Sequence, residues 1–178
     1  MYNIKDKGQV WIETVIYTLI GLSLIGLVLA IVTPRINEFK DRTIIDQTIE
    51  SLNIFDSKIN EILSAPGNKR NIEFNMKRGD LYFNSTNDKI IYILEDSRSL
   101  FSEPNITISI GRINVTTIEK TKNYEVSLVL GYSHNITFNG ADREEVKLSA
   151  TSVPYIFSIE NKGFQNIGLV NIDIRERS

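Results

Sequence analysis

Between Val10 and Val32 the chain runs for 23 residues with one charged side chain, Glu13. As an α-helix that run is ~35 Å long at ~1.5 Å per residue, enough to cross a hydrocarbon core of ~30 Å. A helix that is apolar on every side has no polar face to give to water, so it does not fit the surface of a soluble domain. Trp11 and Tyr17 lie near its start, where amphipathic rings favour the membrane interface. A secretory signal peptide would have a shorter apolar core of ~7–15 residues and a small-residue cleavage site after it. Here the run is longer, and Thr33-Pro34-Arg35 follows it. The pattern predicts a polar leader over residues 1–8 and a transmembrane helix over residues 9–33. Charge alone does not orient it, because Lys5 and Lys7 on one side face Arg35, Lys40 and Arg42 on the other.

The remaining chain is long enough for one domain. Net charge is −2 and no Lys/Arg stripe occurs, so the electrostatic footprint of a nucleic-acid binder is missing. There is no cysteine, which removes disulfides, thiolate metal sites and thiol catalysis. His134 is the single histidine, with no partner to complete a metal shell and no nucleophile elbow to form a triad. No glycine-rich phosphate loop is present. The expectation is a non-enzymatic protein with no cofactor, no metal and no small-molecule substrate. Arg78-Gly79-Asp80 spells a tripeptide found in cell-adhesion ligands, but Gly-Asp between two alternating runs reads first as a hairpin turn.

After Pro34 the pattern becomes amphipathic. Ile45, Thr48, Leu52, Phe55, Ile59 and Ile62 alternate in steps of three and four, with Ile49 beside Thr48, while Asp46, Glu50, Asp56, Lys58 and Glu61 fill the other faces. This predicts a helical stalk over 34–65, stopping near Ser64 before the turn Pro66-Gly67-Asn68. Its stripe suits a sheet surface better than a short coiled coil. Pro34 either bends the junction or begins a second helix. From Arg70 the period switches to two. Alternating runs surround Phe74, Leu81, Ile91, Ile108, Val115, Leu128, Ile136, Leu148, Phe157 and Ile172, with Gly111-Arg112 as a two-residue hairpin turn. Asn139-Gly140, Asn161-Lys162-Gly163 and Lys120 to Asn123 read as further turns, and Asp142 to Glu145 as a solvated turn. The apolar residues at period two are expected to face a core. The fold class is therefore α+β: a long N-terminal helix, transmembrane then amphipathic, followed by an antiparallel all-β head over 66–178 with eight to ten strands. Asn84, Asn105, Asn114 and Asn135 each begin an N-glycosylation sequon, and all lie in that head.

The junction Lys7-Gly8-Gln9-Val10-Trp11-Ile12-Glu13, followed by an apolar helix, resembles the class III signal peptide of type IV pilin-like proteins. The Gly–Gln pair looks most like the archaeal members. The resemblance implies cutting by a membrane prepilin peptidase between Gly8 and Gln9, which makes Glu13 the fifth mature residue. It further implies retention of the helix, packing against copies of itself or other pilins in a filament core, and display of β-rich heads outside the cell membrane. About 30 residues carry this likeness; beyond them only the order of helix and β domain matches. The leader is short and holds Asp6. Bacterial members favour Phe first and Pro at the twenty-second mature position, where this chain has Gln9 and Ala30.

The residues suit that implied chemistry. Cutting after Gly8 would free an α-amino group at Gln9, with a reference pKa of ~8. Glu13 would lie one helical turn away on the same face. A carboxylate in lipid needs a partner, so pairing with the amine of its own or a neighbouring chain would fix axial register. Gly21, Ser23, Gly26 and Ala30 would let helix backbones approach closely. The expected function is a structural filament subunit, with adhesion as one use of the head. The alternatives are an uncut, single-pass anchored binding module and a minor or secretion-type pseudopilin.

Overall fold

The computed structural model describes residues 4–142, 145–164 and 168–177, with side chains from Val10 onward. The chain divides into two compact units, Met1–Phe39 and Lys40–Ser178. A single helix, α1 (Ile4–Ile62), supplies the described part of the first unit and the opening of the second. Pro34 lies inside this helix and begins no new one. Its missing N–H removes one intrahelical hydrogen bond without ending the helix.

In the first unit every residue from Val10 to Ile36 is exposed except half-buried Gly21. The hydroxyls along it bond back onto their own helix: Thr14 to the Val10 carbonyl, Thr18 to Thr14, Ser23 to Leu19 and Thr33 to Leu29, at 2.7–2.9 Å. Such bonds satisfy polar groups without outside partners, as a helix facing hydrocarbon requires.

The second unit is built on ten strands among the described residues. They are β1 (Lys69–Phe74), β2 (Asp80–Asn84), β3 (Lys89–Ser97), β4 (Thr107–Ile110), β5 (Ile113–Glu119), β6 (Tyr124–Gly131), β7 (Asn135–Phe138), β8 (Val146–Ser149), β9 (Tyr155–Phe164) and β10 (Val170–Arg177). Two sheets form, one in the order β1-β9-β10-β7 and one in the order β4-β5-β6-β3-β2-β8. Every pairing is antiparallel except β7 with β10, which run parallel with Ile136 opposite Ile172. The head is thus antiparallel-rich and not purely antiparallel. A parallel pair needs a long connection, and here β8 and β9 provide it.

The stripe on the second half of α1 lies on this β structure. Ile45, Leu52, Phe55, Ile59 and Ile62 have no exposed surface, and Thr48 and Ile49 are buried with them. Phe55 sits where three layers meet. Its ring lies 6.5 Å from Phe74 and 5.9 Å from Phe157 in the first sheet, and 6.2 Å from Phe83 in the second. Phe83 in turn contacts Phe138 at 4.8 Å and Phe157 at 5.3 Å. Edge-on and tilted pairs at these separations each add to plain area burial.

Several turn expectations need revision. Gly79-Asp80 does not close a hairpin, because β1 and β2 belong to different sheets. It carries the chain across the sandwich. Gly79 has φ +83°, and a Cβ there would lie 2.6 Å from the Ile93 carbonyl oxygen and the Tyr92 ring, so neither backbone nor space admits a side chain. Asn161-Lys162-Gly163 is no turn either. It lies within β9, where Gly163 at φ +85° accompanies a register shift against β10, the signature of a β-bulge. The hairpin at Gly111-Arg112 stands as read, with Ile110 opposite Ile113. Of the solvated turn at Asp142 to Glu145, residues 143–144 lie outside the described residues.

Replacing Phe55 by Ala should lower the unfolding free energy of the detergent-solubilised full chain by about 3–5 kcal/mol. A denaturant midpoint unchanged by this substitution would show that α1 does not share the head's core.

Candidate functional site

Chain regions that could meet a partner fall into two groups, the apolar half of α1 and the rims of the head. In the first, α1 is continuous through Gly8, Gln9 and Glu13, so Glu13 follows Gln9 by one turn, as the spacing requires. The side chain of Gln9 lies outside the described residues, as does the environment of Gly8. The most apolar 18-residue stretch of the helix has a mean hydropathy of 2.7. At ~100° per residue, Ser23, Gly26 and Ala30 share one face, whereas Gly21 falls on the opposite side. The four small residues are therefore not one stripe. A Cβ at Gly21 or Gly26 would meet nothing within 4 Å, so contacts within this chain do not require glycine at either position.

The second half of α1 is held to the head by polar ties that periodicity did not reveal. Asp41 is 3% exposed. Its Oδ1 accepts from the Arg78 guanidinium, and its Oδ2 accepts from the Arg98 backbone N–H at 2.8 Å. Arg78 is the arginine of the adhesion-like tripeptide, and its exposed side chain is paired with the buried Asp41 carboxylate. The Tyr92 hydroxyl donates to the Arg78 carbonyl at 2.7 Å. Burial, above all, pushes its phenol up to about 12. Farther along, Arg112 reaches Asp56 at 2.7 Å and lies over the Tyr132 ring at 5.2 Å. At the C-terminal end, Asn161 is buried and donates through Nδ2 to the Ile62 carbonyl at 2.9 Å, while its Oδ1 accepts from the Gly163 N–H at 2.8 Å. It satisfies one of the carbonyls that a helix end leaves without a partner. An Asn two residues after the strand-period Ile159 offers no local cue that it will cap a helix 99 residues away.

On the first sheet, Asp173 is 1% exposed and accepts from Thr137 Oγ1 at 3.1 Å, the Gly140 N–H at 2.7 Å and Arg175 Nε at 2.6 Å. The hydrogen bond to Asp173 pushes the Arg175 guanidinium up. His134 lies just before β7, and no group of three or more His, Asp or Glu among the described residues is placed to hold a metal ion.

The sequons differ in setting. Asn105 and Asn114 are exposed. Asn84 is half-buried, with its Oδ1 accepting from the backbone and side chain of Asn87 at 3.0 and 3.1 Å. Asn135 is half-buried with its Nδ2 directed at Asn171, and Thr137 of the same sequon is 5% exposed. Ile106 and Ile108 depart from the core-facing expectation. They are 49% and 36% exposed at the rim strand β4, where a sheet has a neighbour on one side only.

No protein-family model, curated protein or solved structure matches this chain. What the fold does define is a protein with an N-terminal helix long and apolar enough to cross a membrane, followed by a head built on two β-sheets.

Tyr92 yields a pH prediction. Its phenol titrates higher folded than the ordinary value near 10, so the neutral form favours the native state. That contribution is complete below pH ~10 and is lost as pH rises toward ~12. Unfolding free energies measured across this window should fall more steeply for the wild type than for Tyr92→Phe.

Proposed function

We propose that this protein is a pilin-like filament subunit, made as a precursor, cut after Gly8 and assembled through α1 with its head outside the membrane. The observation that carries this reading is the division of apolar surface. The head completes its core with Ile45 and later residues, and none of the apolar side chains from Val10 to Ile36 is buried. A lipid anchor explains that surface at the stage of insertion. A bundle of like helices explains three further features: the acid at Glu13, the Gly–Gln junction one turn before it, and the shared face of Ser23, Gly26 and Ala30.

The proposed sequence of events follows from charge. Before cutting, the backbone nitrogen of Gln9 is an ordinary uncharged amide. After cutting, its α-amine gains a positive charge beside Glu13. Inside a bundle of helices the local dielectric is low, and axial slip between neighbours would separate the pair at a large energetic cost. The sequence would in this way link processing to assembly. Adhesion or surface scaffolding would be the task of the head.

Mass spectrometry of surface-exposed protein tests the first step, with the mature chain expected to begin at Gln9 or its cyclised form. A chain that retains Met1 to Gly8 would support the uncut anchored module and overturn the filament reading. For the second step, Glu13→Ala should leave membrane insertion and cutting intact and abolish filaments under electron microscopy. Wild-type filament numbers in that variant would remove the register role of Glu13.

A further inference from the structure

The six-stranded sheet ends on β4, and this rim is built unlike the others. β1 presents Lys69, Arg70 and Glu73, and β8 presents Lys147, charged residues of the kind that discourage pairing with a foreign strand. The side chains of β7 are mostly buried. β4 reads Thr-Ile-Ser-Ile and carries no charge. Ile106, just before it, and Ile108 within it are 49% and 36% exposed. An uncharged edge with exposed apolar side chains is a template for strand addition by another chain.

Two of the four sequons lie at this rim. Asn105 occupies the turn that enters β4, with φ +61° and its backbone N–H bonded to the Thr117 carbonyl at 2.7 Å, which leaves its side chain in solvent. Asn114 lies on β5 opposite Ser109 of β4, on the outer face of the sheet. Its Oδ1, not its Nδ2, takes the hydrogen bond from Ser109 at 2.8 Å. The sequon threonines Thr107 and Thr116 face each other on the same surface at 2.8 Å. A transferase must reach both the asparagine amide and the hydroxyl two residues on, and here both pairs stand on one outer face or the turn beside it.

We propose that the folded head is N-glycosylated at Asn105 and Asn114, and that the two sugars close the β4 rim against strand addition. The inference rests on the extracellular head of the proposed function. In the step itself, Nδ2 of each asparagine bonds to C1 of the first sugar of a lipid-linked oligosaccharide. The C1–O bond to the lipid phosphate breaks, the lipid phosphate leaves with the electron pair, and one amide proton passes to a base of the transferase. Asn84, folded into its turn, and Asn135, with Thr137 buried behind it, stay unmodified.

The test uses the full chain from its native cells, with protease accessibility of the head on intact cells and glycopeptide mapping by mass spectrometry. The expected result is an accessible head carrying sugar on the Asn105 and Asn114 peptides and none on those of Asn84 and Asn135. An accessible head with Asn105 and Asn114 bare, or with sugar on Asn135 or Asn84 instead, would overturn the assignment and leave the head's placement standing. A head sealed from protease would overturn the placement and the glycosylation together. For the guarding role, the double variant N105G/N114Q keeps the positive φ and the strand polarity while removing both acceptors. In detergent it should shift to species of about twice the wild-type mass or more, as rim pairing requires, and adding Ile108→Lys should reverse the shift. A double variant that keeps the wild-type size would overturn the guarding role.

Discussion

Helix α1 changes its solvent partway along its length, and the rest of the protein depends on where that change falls. From Val10 to Val32 it is apolar on all sides apart from Glu13, and every residue there is exposed except half-buried Gly21. From Ile45 its apolar residues collect on one stripe, which is covered completely. Each half would fail in the other's setting. The first half in water would expose a continuous apolar surface, and the second half in lipid would bring Asp46, Glu50, Lys58 and Glu61 with it. A single helix is thus membrane-capable at one end and part of a protein core at the other.

The core that receives the stripe is neither a plain two-sheet sandwich nor a helix laid on one sheet. Phe55 touches aromatic rings from both sheets, so the helix is a third component of a shared interior. Apolar packing alone tolerates sliding of a helix along a sheet. Directional contacts fix the position: Asp41 against Arg78 and the Arg98 N–H near its start, Asp56 against Arg112 in the middle, and Asn161 on the last turn. The buried members of these contacts would be costly to leave unpaired, so any register that breaks them is disfavoured.

The same contacts explain why Arg78-Gly79-Asp80 should not be read as an adhesion motif. Its arginine is anchored to a buried carboxylate, its glycine has no room for a side chain, and its aspartate pairs with Lys147 at 3.0 Å as β2 begins. Among the surface features that remain without an internal role are the apolar half of α1 and the β4 rim. Both would be covered in the assembled, modified protein proposed above, the first by neighbouring helices and the second by sugar.

Local pattern in the sequence was enough to determine the elements. The unbroken apolar run, the stripe from Ile45 to Ile62 and the switch to period two each follow from side-chain chemistry at fixed spacing, and the strands fall where the alternation placed them, except that β9 runs on through the expected turn at Asn161-Lys162-Gly163. The one-turn spacing between Gln9 and Glu13 was equally legible, because it depends on the helix alone. Tertiary structure decided what joins what. The parallel pairing of β7 with β10, the crossing at Gly79, the bulge at Gly163 and the helix cap by Asn161 all bring together residues distant in the chain, and no local period encodes a distant partner. It also decided that Ile106 and Ile108 face solvent, although they alternate like core residues. Alternation specifies a face of a strand, whereas burial requires something to lie against that face, and at the edge of a sheet that cover runs out.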